Sequence, residues 1–136
     1  MPFTPVPTPM TNWRAVGIGF VVQVLVGLFA FAIPGIGHVA AGLIGGFAAG
    51  YVAGGGLFRG AWHGLLAGAI GGILIGILVA IVVTIIGTIG LGPLGPLAGG
   101  ATFVIALTVA FVQAIDSAIG GAVGGLIGDS GGTRRY

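Results

Sequence analysis

Two aspartates, two histidines, two glutamines and two serines are the side chains of this chain with obvious chemistry: Asp116, Asp129, His38, His63, Gln23, Gln113, Ser117 and Ser130. A hydrolytic serine needs a base within hydrogen-bond reach, and neither serine has a histidine nearby in sequence. No paired carboxylates are spaced for general acid–base work. Cysteine is absent, which removes thiolate metal ligands and disulfides. The glycine runs are not followed by the Lys-Ser/Thr that a phosphate-cradling loop requires. The residues therefore predict no enzyme, no metal and no cofactor.

What remains is polar chemistry in unusual surroundings. Asp116 follows the apolar stretch 97–115, and an ionisable group inside a membrane span marks an ion or proton path more often than chance allows. Its reading depends on where the last helix ends. Ending near Ile115 leaves the carboxylate at an interface; continuing to Gly128 puts it inside the bundle, about one turn from Gln113. Gln23, at the centre of the first apolar stretch, and Gln113 fall at similar depths. They are read as a pair of amides bridging helices, with a polar path through Gln23, Gln113 and Asp116 as the functional alternative. His38 and His63 are expected at opposite ends of the spans, separated by about 30 Å, and so unable to share a metal. His63, beside Arg59 and Trp62, is read as an interfacial anchor.

The elements that would hold these groups follow from composition. The chain has 136 residues, 57% hydrophobic and 4% charged, with a mean hydropathy of +1.23. That polar inventory is too small to coat a water-soluble globule. The six charges are Arg14, Arg59, Arg134, Arg135, Asp116 and Asp129, a net +2 with no basic cluster of the kind nucleic acid demands. A bilayer core of about 30 Å takes about 20 helical residues. Apolar stretches at 13–33, 36–54, 61–90 and 97–128 meet that length, divided by Pro34-Gly35, by Gly54-Gly55-Gly56 and by Gly92-Pro93-Leu94-Gly95-Pro96. The expected fold is all-α: a polytopic membrane protein of four transmembrane helices, spanning 13–128. A Pro-rich lead-in precedes it at 1–12 and a short tail follows at 129–136. Arg14 and the Ala30-Phe31-Ala32 triplet superficially resemble a signal peptide, but the segment is read as a retained span.

Four spans place the lead-in, the Arg59 loop and the tail on one side. Arg14, Arg59, Arg134 and Arg135 then share that side, with Trp13 and Trp62 at its interface. The positive-inside rule makes it cytoplasmic, with both termini inside a plasma membrane.

Thirty-one glycines would each cost about 1 kcal/mol in an isolated helix in water, yet here they are ordered. Gly42, Gly46, Gly50 and Gly54 recur every four residues in the second span. Gly60, Gly64, Gly68, Gly72 and Gly76 do so in the third, and Ser117, Gly121 and Gly125 in the fourth, with Gly120, Gly124 and Gly128 alongside. Small-xxx-small stripes let helix backbones approach closely, the main source of association where lipid gives no hydrophobic drive. The short second loop predicts that spans two and three zip together as an antiparallel hairpin. Overlaying span two on span four, 75 positions on, hints at a duplicated hairpin, although Gly/Ala sequence aligns readily by chance.

The segments Asn12-Trp13-Arg14-Ala15, Ile33-Pro34-Gly35-Ile36-Gly37-His38, Gly42-Leu43-Ile44-Gly45-Gly46 and Gly60-Ala61-Trp62-His63-Gly64 resemble an uncharacterised family of small, Gly-rich, multi-spanning haloarchaeal membrane proteins. The resemblance is best over residues 12 to 76. It implies a halophilic archaeal membrane and transfers no activity or site. Because the stripes outnumber what one hairpin can use, the expected role is a non-enzymatic structural or accessory membrane protein. It would associate with itself, as a homo-oligomer, or with a larger membrane complex. A small channel or transporter is the competing expectation.

Overall fold

In the computed structural model, described over residues 10–30, 32–33 and 35–130, the chain is all-α. Four α-helices follow in order: α1 (Trp13–Ala30), α2 (Ile36–Ala53), α3 (Leu57–Leu91) and α4 (Gly95–Ser130). A single 3-10 turn, Gly92–Leu94, joins the last two. Pro2, Pro5, Pro7 and Pro9 of the lead-in, Pro34, and Arg134 and Arg135 lie outside the described residues.

Chain chemistry sets the helix ends. Asn12 opens α1 by accepting the Arg14 and Ala15 amides on Oδ1, at 3.1 and 3.3 Å, which satisfies two donors that a helix start leaves open. Between α2 and α3, Gly54, Gly55 and Gly56 all take positive φ (56°, 81° and 88°), a backbone region that side chains disfavour. Hence the glycine triplet there is a turn. Gly54 ends α2 with open space around it and is not a packing position. Past Gly92, also at positive φ (59°), Pro93 cannot continue α3, and the chain reverses within the 3-10 turn.

The interior is made of small residues. Ala15, Ala41, Ala49 and Ala67 are buried together with most helical glycines, whereas large side chains such as Leu28, Phe29, Ile86, Ile89 and Phe111 face outward. The largest fully buried side chains are His63, Gln23 and Ser117. Such inversion is unfavourable in water and suits an apolar surround. Three segments are long and apolar enough to cross a membrane: Trp13–Ala30, Ile36–Ala53 and the run Leu57–Ser130, whose mean hydropathies reach 1.8, 1.5 and 3.0. They are the segments of a membrane protein.

Helix pairing departs from the expected hairpin of the second and third elements. Both glycine stripes close on α4 instead. On α2, the Cβ directions at Gly46 and Gly50 run into the carbonyls of Ser117 and Gly121, and Gly42 lies against Gln113 and Asp116. On α3, Gly64 faces Ser117, Gly60 faces Gly121 and Gly125, Gly68 faces Ala114 and Ser117, and Gly72 and Gly76 face Ala110 and Ala106. Rising numbers on α3 meet falling numbers on α4, so that pair is antiparallel, whereas α2 and α4 run parallel. α4 meets α2 with a second row, Gly120, Gly124 and Gly128 on the backbones of Leu43, Phe47 and Tyr51. α1 packs antiparallel on α2 through Gly19, Gly45 and Gly37, and reaches α3 at Ala67 and Gly71.

Register also fixes how far each helix extends. Gly42 opposite Gln113 and Gly46 opposite Ser117 set Ile36, the first residue of α2, level with Leu107. The α3–α4 hairpin therefore continues about 20 Å past the α1–α2 turn, at about 1.5 Å per residue. Thr84, Thr88 and Thr102 in this extension donate their hydroxyls to the carbonyls of Ala80, Thr84 and Ala98 on their own helices, at 2.8, 2.7 and 2.9 Å.

Adding one methyl group separates interior from exterior glycines. Gly46→Ala and Gly121→Ala should each lower stability by about 1–3 kcal/mol through overpacking against backbone. Gly100→Ala, with nothing within 4 Å of the added carbon, should be neutral or stabilising by up to about 1 kcal/mol. Thermal unfolding in detergent, read by circular dichroism, compares the three; equal effects at all three positions would contradict the pairing.

Candidate functional site

Asp116 resolves first. Because α4 runs unbroken to Ser130, Asp116 lies well within the helix and not past its end. Its neighbour Ser117 is fully buried toward α3, so Asp116, one residue earlier, is rotated by about 100° toward the α2 side. There it lines a groove of about 200 Å³ between α2 and α4, together with His38, Val39, Thr108, Val109, Val112 and Gln113. Asp116 and Gln113 are half-buried; His38 is exposed at the first turn of α2. Their Cβ and Cγ atoms each lie 3.4 Å from the point a Cβ on Gly42 would occupy, so this glycine admits both side chains into the groove. Thr108 keeps its hydroxyl on the Val104 carbonyl, at 3.2 Å. His38 was expected beside the outer turn, and no contact with Asp116 was read from the sequence. What joins them is the parallel register of α2 on α4, which no local pattern announces.

Gln23 belongs elsewhere. It is 2% exposed and enclosed where α1 meets α2 and α3, its Cβ against Gly45 and its Nε2 3.2 Å from the Cβ direction of Gly71. Both amide atoms lack a hydrogen-bond partner. The expected bond to Gln113 is not formed, and a path through both glutamines and Asp116 has no geometric basis. Gln113 stands on the other side of the bundle, in the α2–α4 groove.

His63 is likewise not the interfacial anchor expected. It is 1% exposed, and both ring nitrogens are engaged. Nε2 accepts the Asn12 backbone N–H at 2.8 Å, so the proton sits on Nδ1, which donates to the Arg59 carbonyl at 2.7 Å. Next to it the Trp62 indole N–H donates to Thr11 Oγ1 at 3.2 Å. Thr11-Asn12 and Trp62-His63 thus form a two-point clasp fixing the start of α1 to α3. Trp13 and Trp62 are exposed at this end, with Arg14 exposed and Arg59 half-buried. The Arg59 side chain lies over Gly55, its buried Nε without a partner.

Ser117, considered above as a nucleophile and as a member of the fourth helix's small-residue stripe, is an interhelical donor. Its buried hydroxyl gives a 2.7 Å hydrogen bond to the Gly64 carbonyl. No group of three or more His, Cys, Asp or Glu side chains is placed to hold a metal among the described residues.

Residues 13–127, nearly the whole helical domain, match a family of unknown function, DUF5518. The chain belongs to that family. The match runs well past residue 76, the end of the stretch where the sequence resemblance is best. No curated protein and no solved structure matches the chain.

The two buried polar side chains should respond oppositely to an apolar replacement. Gln23→Leu removes an amide whose two polar atoms lack partners, and should leave stability unchanged or raise it by about 1–2 kcal/mol. His63→Leu strands the Asn12 amide and the Arg59 carbonyl, and should lower it by about 1–3 kcal/mol. Unfolding in detergent measures both, and a large loss with Gln23→Leu would show that its amide is bonded after all.

Proposed function

We propose that this protein is a non-enzymatic structural or accessory membrane protein. It crosses the membrane four times through α1 to α4, held by glycine-zipper contacts, and associates with a second copy or with a larger membrane complex. The observation that carries the association is the α3–α4 extension. About 20 Å of paired helix continues beyond α1 and α2, its outward residues Ile85, Ile86, Ile89, Leu97, Val104 and Ile105 more than half exposed. Contiguous apolar surface of this extent favours contact with lipid or with other apolar helices. The glycine stripes are not the surface offered, since Gly42, Gly46 and Gly50 of α2 and Gly60 to Gly76 of α3 are turned inward on α4. This shifts the association from the expected glycine faces to the large aliphatic residues.

Orientation rests on the arginines. Arg14 and Arg59 belong to the clasp end, where α4 ends as well. The positive-inside rule then puts both termini in the cytoplasm of a plasma membrane, with the α3–α4 turn on the outer side. The family resemblance extends the reading to a halophilic archaeon.

Native mass spectrometry from mild detergent tests the association. A dimer, higher oligomer or co-purifying subunit is expected, and Ile89→Lys at the extension should reduce it at least several-fold while the helical circular dichroism signal is retained. Only monomer for the unaltered protein, with no bound subunit, would overturn the reading.

A further inference from the structure

We infer that the Asn12–His63 clasp is a pH-sensitive switch, which frees the start of α1 from α3 when His63 takes up a proton. It goes beyond the accessory role proposed above and does not depend on association. The basis is the direction of the hydrogen bonds. A backbone N–H can only donate, so the 2.8 Å contact from Asn12 requires an unprotonated Nε2 on His63. The ring proton is on Nδ1, given to the Arg59 carbonyl at 2.7 Å. With the ring 1% exposed and both nitrogens committed, the closed clasp accepts neutral imidazole in one tautomer and no other form. An imidazolium carries N–H on both nitrogens. Its Nε2–H would point at the Asn12 N–H, two buried donors facing each other with no acceptor for either.

The surrounding elements offer a charged ring no compensation. Arg59, one turn earlier on α3, and Arg14, two residues after Asn12 on α1, are both cationic. Of the two carboxylates of the chain, Asp116 is turned toward α2 in its groove with Gln113. Asp129 lies a turn beyond Gly125, which packs on Gly56 and Gly60, and so past the start of α3. At the level of the clasp α2 presents Gly46 and Gly50 to α4, and its Tyr51 lies against Gly128. Protons therefore favour the open clasp, in which Nε2 is free to bind one. The closed form prevails at higher pH, and the closed-to-open ratio falls by up to about tenfold for each pH unit lost, the limit for one proton. α1 is the helix such a change can release. Apart from the clasp it rests on small-residue contacts such as Gly19 on Ala49 and Ala67, and its buried Gln23 amide bonds to nothing. The Trp62 bond to Thr11 Oγ1 belongs to the same clasp and opens with it.

Both tryptophans of the chain, Trp13 and Trp62, stand at this end, so intrinsic fluorescence of the full-length protein in detergent reads the clasp directly. Between about pH 8 and about pH 5, the interval in which imidazoles titrate, emission of the unaltered protein should shift in a single one-proton transition while helical circular dichroism persists. His63→Gln should abolish the shift, and His38→Gln, which replaces the other histidine, should retain it. Nitrogen-15 NMR of the His38→Gln protein, where His63 is the one histidine left, checks the chemistry without altering the clasp. It should show a proton on Nδ1 alone at the upper pH and on both nitrogens at the lower. A bare Nδ1 at the upper pH, emission independent of pH, or the same shift in His63→Gln of unaltered helicity would overturn the switch.

Discussion

Everything else in the structure depends on the approach of three backbones at Ser117 and Gly121. Gly46 of α2 and Gly64 of α3 both press on Ser117, and Gly50 and Gly60 both press on Gly121, so α4 is held between two glycine surfaces with almost no side-chain volume intervening. Dispersion and weak Cα–H···O contacts depend steeply on distance, and their sum at such separation replaces the hydrophobic drive that an apolar surround lacks. The Ser117 hydroxyl adds one directional bond, to Gly64, at the same level. A bond of this kind fixes the vertical register of the pair, which a smooth glycine surface leaves free to slide.

That register assigns the polar groups their places. With Ser117 turned to α3, Asp116 must look toward α2, and Gln113, one turn earlier, follows it. The antiparallel run of α1 on α2 places Gln23 opposite Gly45, away from Gln113. At the clasp end, the parallel run of α1 on α3 pairs Thr11 with Trp62 and Asn12 with His63, both 51 residues apart. The registers of the helix pairs thereby decide which of the few polar side chains meet and which remain apart.

Sequence alone made the all-α class legible, because long apolar stretches interrupted by Pro-Gly pairs leave few alternatives in a chain with so little charge. Partner choice was not legible. The stripes at Gly42–Gly50 and Gly60–Gly76 carry the same four-residue period, so the period identifies each as a packing face and says nothing about which helix fills it. Proximity in sequence favoured pairing them with each other, and the double row on α4, Ser117/Gly121/Gly125 beside Gly120/Gly124/Gly128, held the contrary signal: one helix with two small-residue faces can serve two partners. His63 misled in a related way. Its neighbours Arg59 and Trp62 are typical of an interface, while the partner that buries it, Asn12, is remote in the chain. Gly54 continued a perfect period into a turn because conformation, and not packing, required glycine there.

The abundance of glycine follows from the reference state. In water, each glycine raises the cost of forming a helix, because an unfolded chain satisfies its amides with solvent and has much freedom to lose. In hydrocarbon no solvent can take over those bonds, so a segment is already helical before it meets its neighbours. The penalty that glycine carries in soluble helices then largely vanishes from the association step, and only its advantage, an uncovered backbone, remains. Placing the small residues inside and the large aliphatic ones outside is thus the arrangement of lowest free energy when helices are given and only their contacts must be gained. It also explains why the same sequence has no use for a large apolar core: side chains such as Ile86 and Phe111 gain nothing from moving inward, where they would hold the backbones apart.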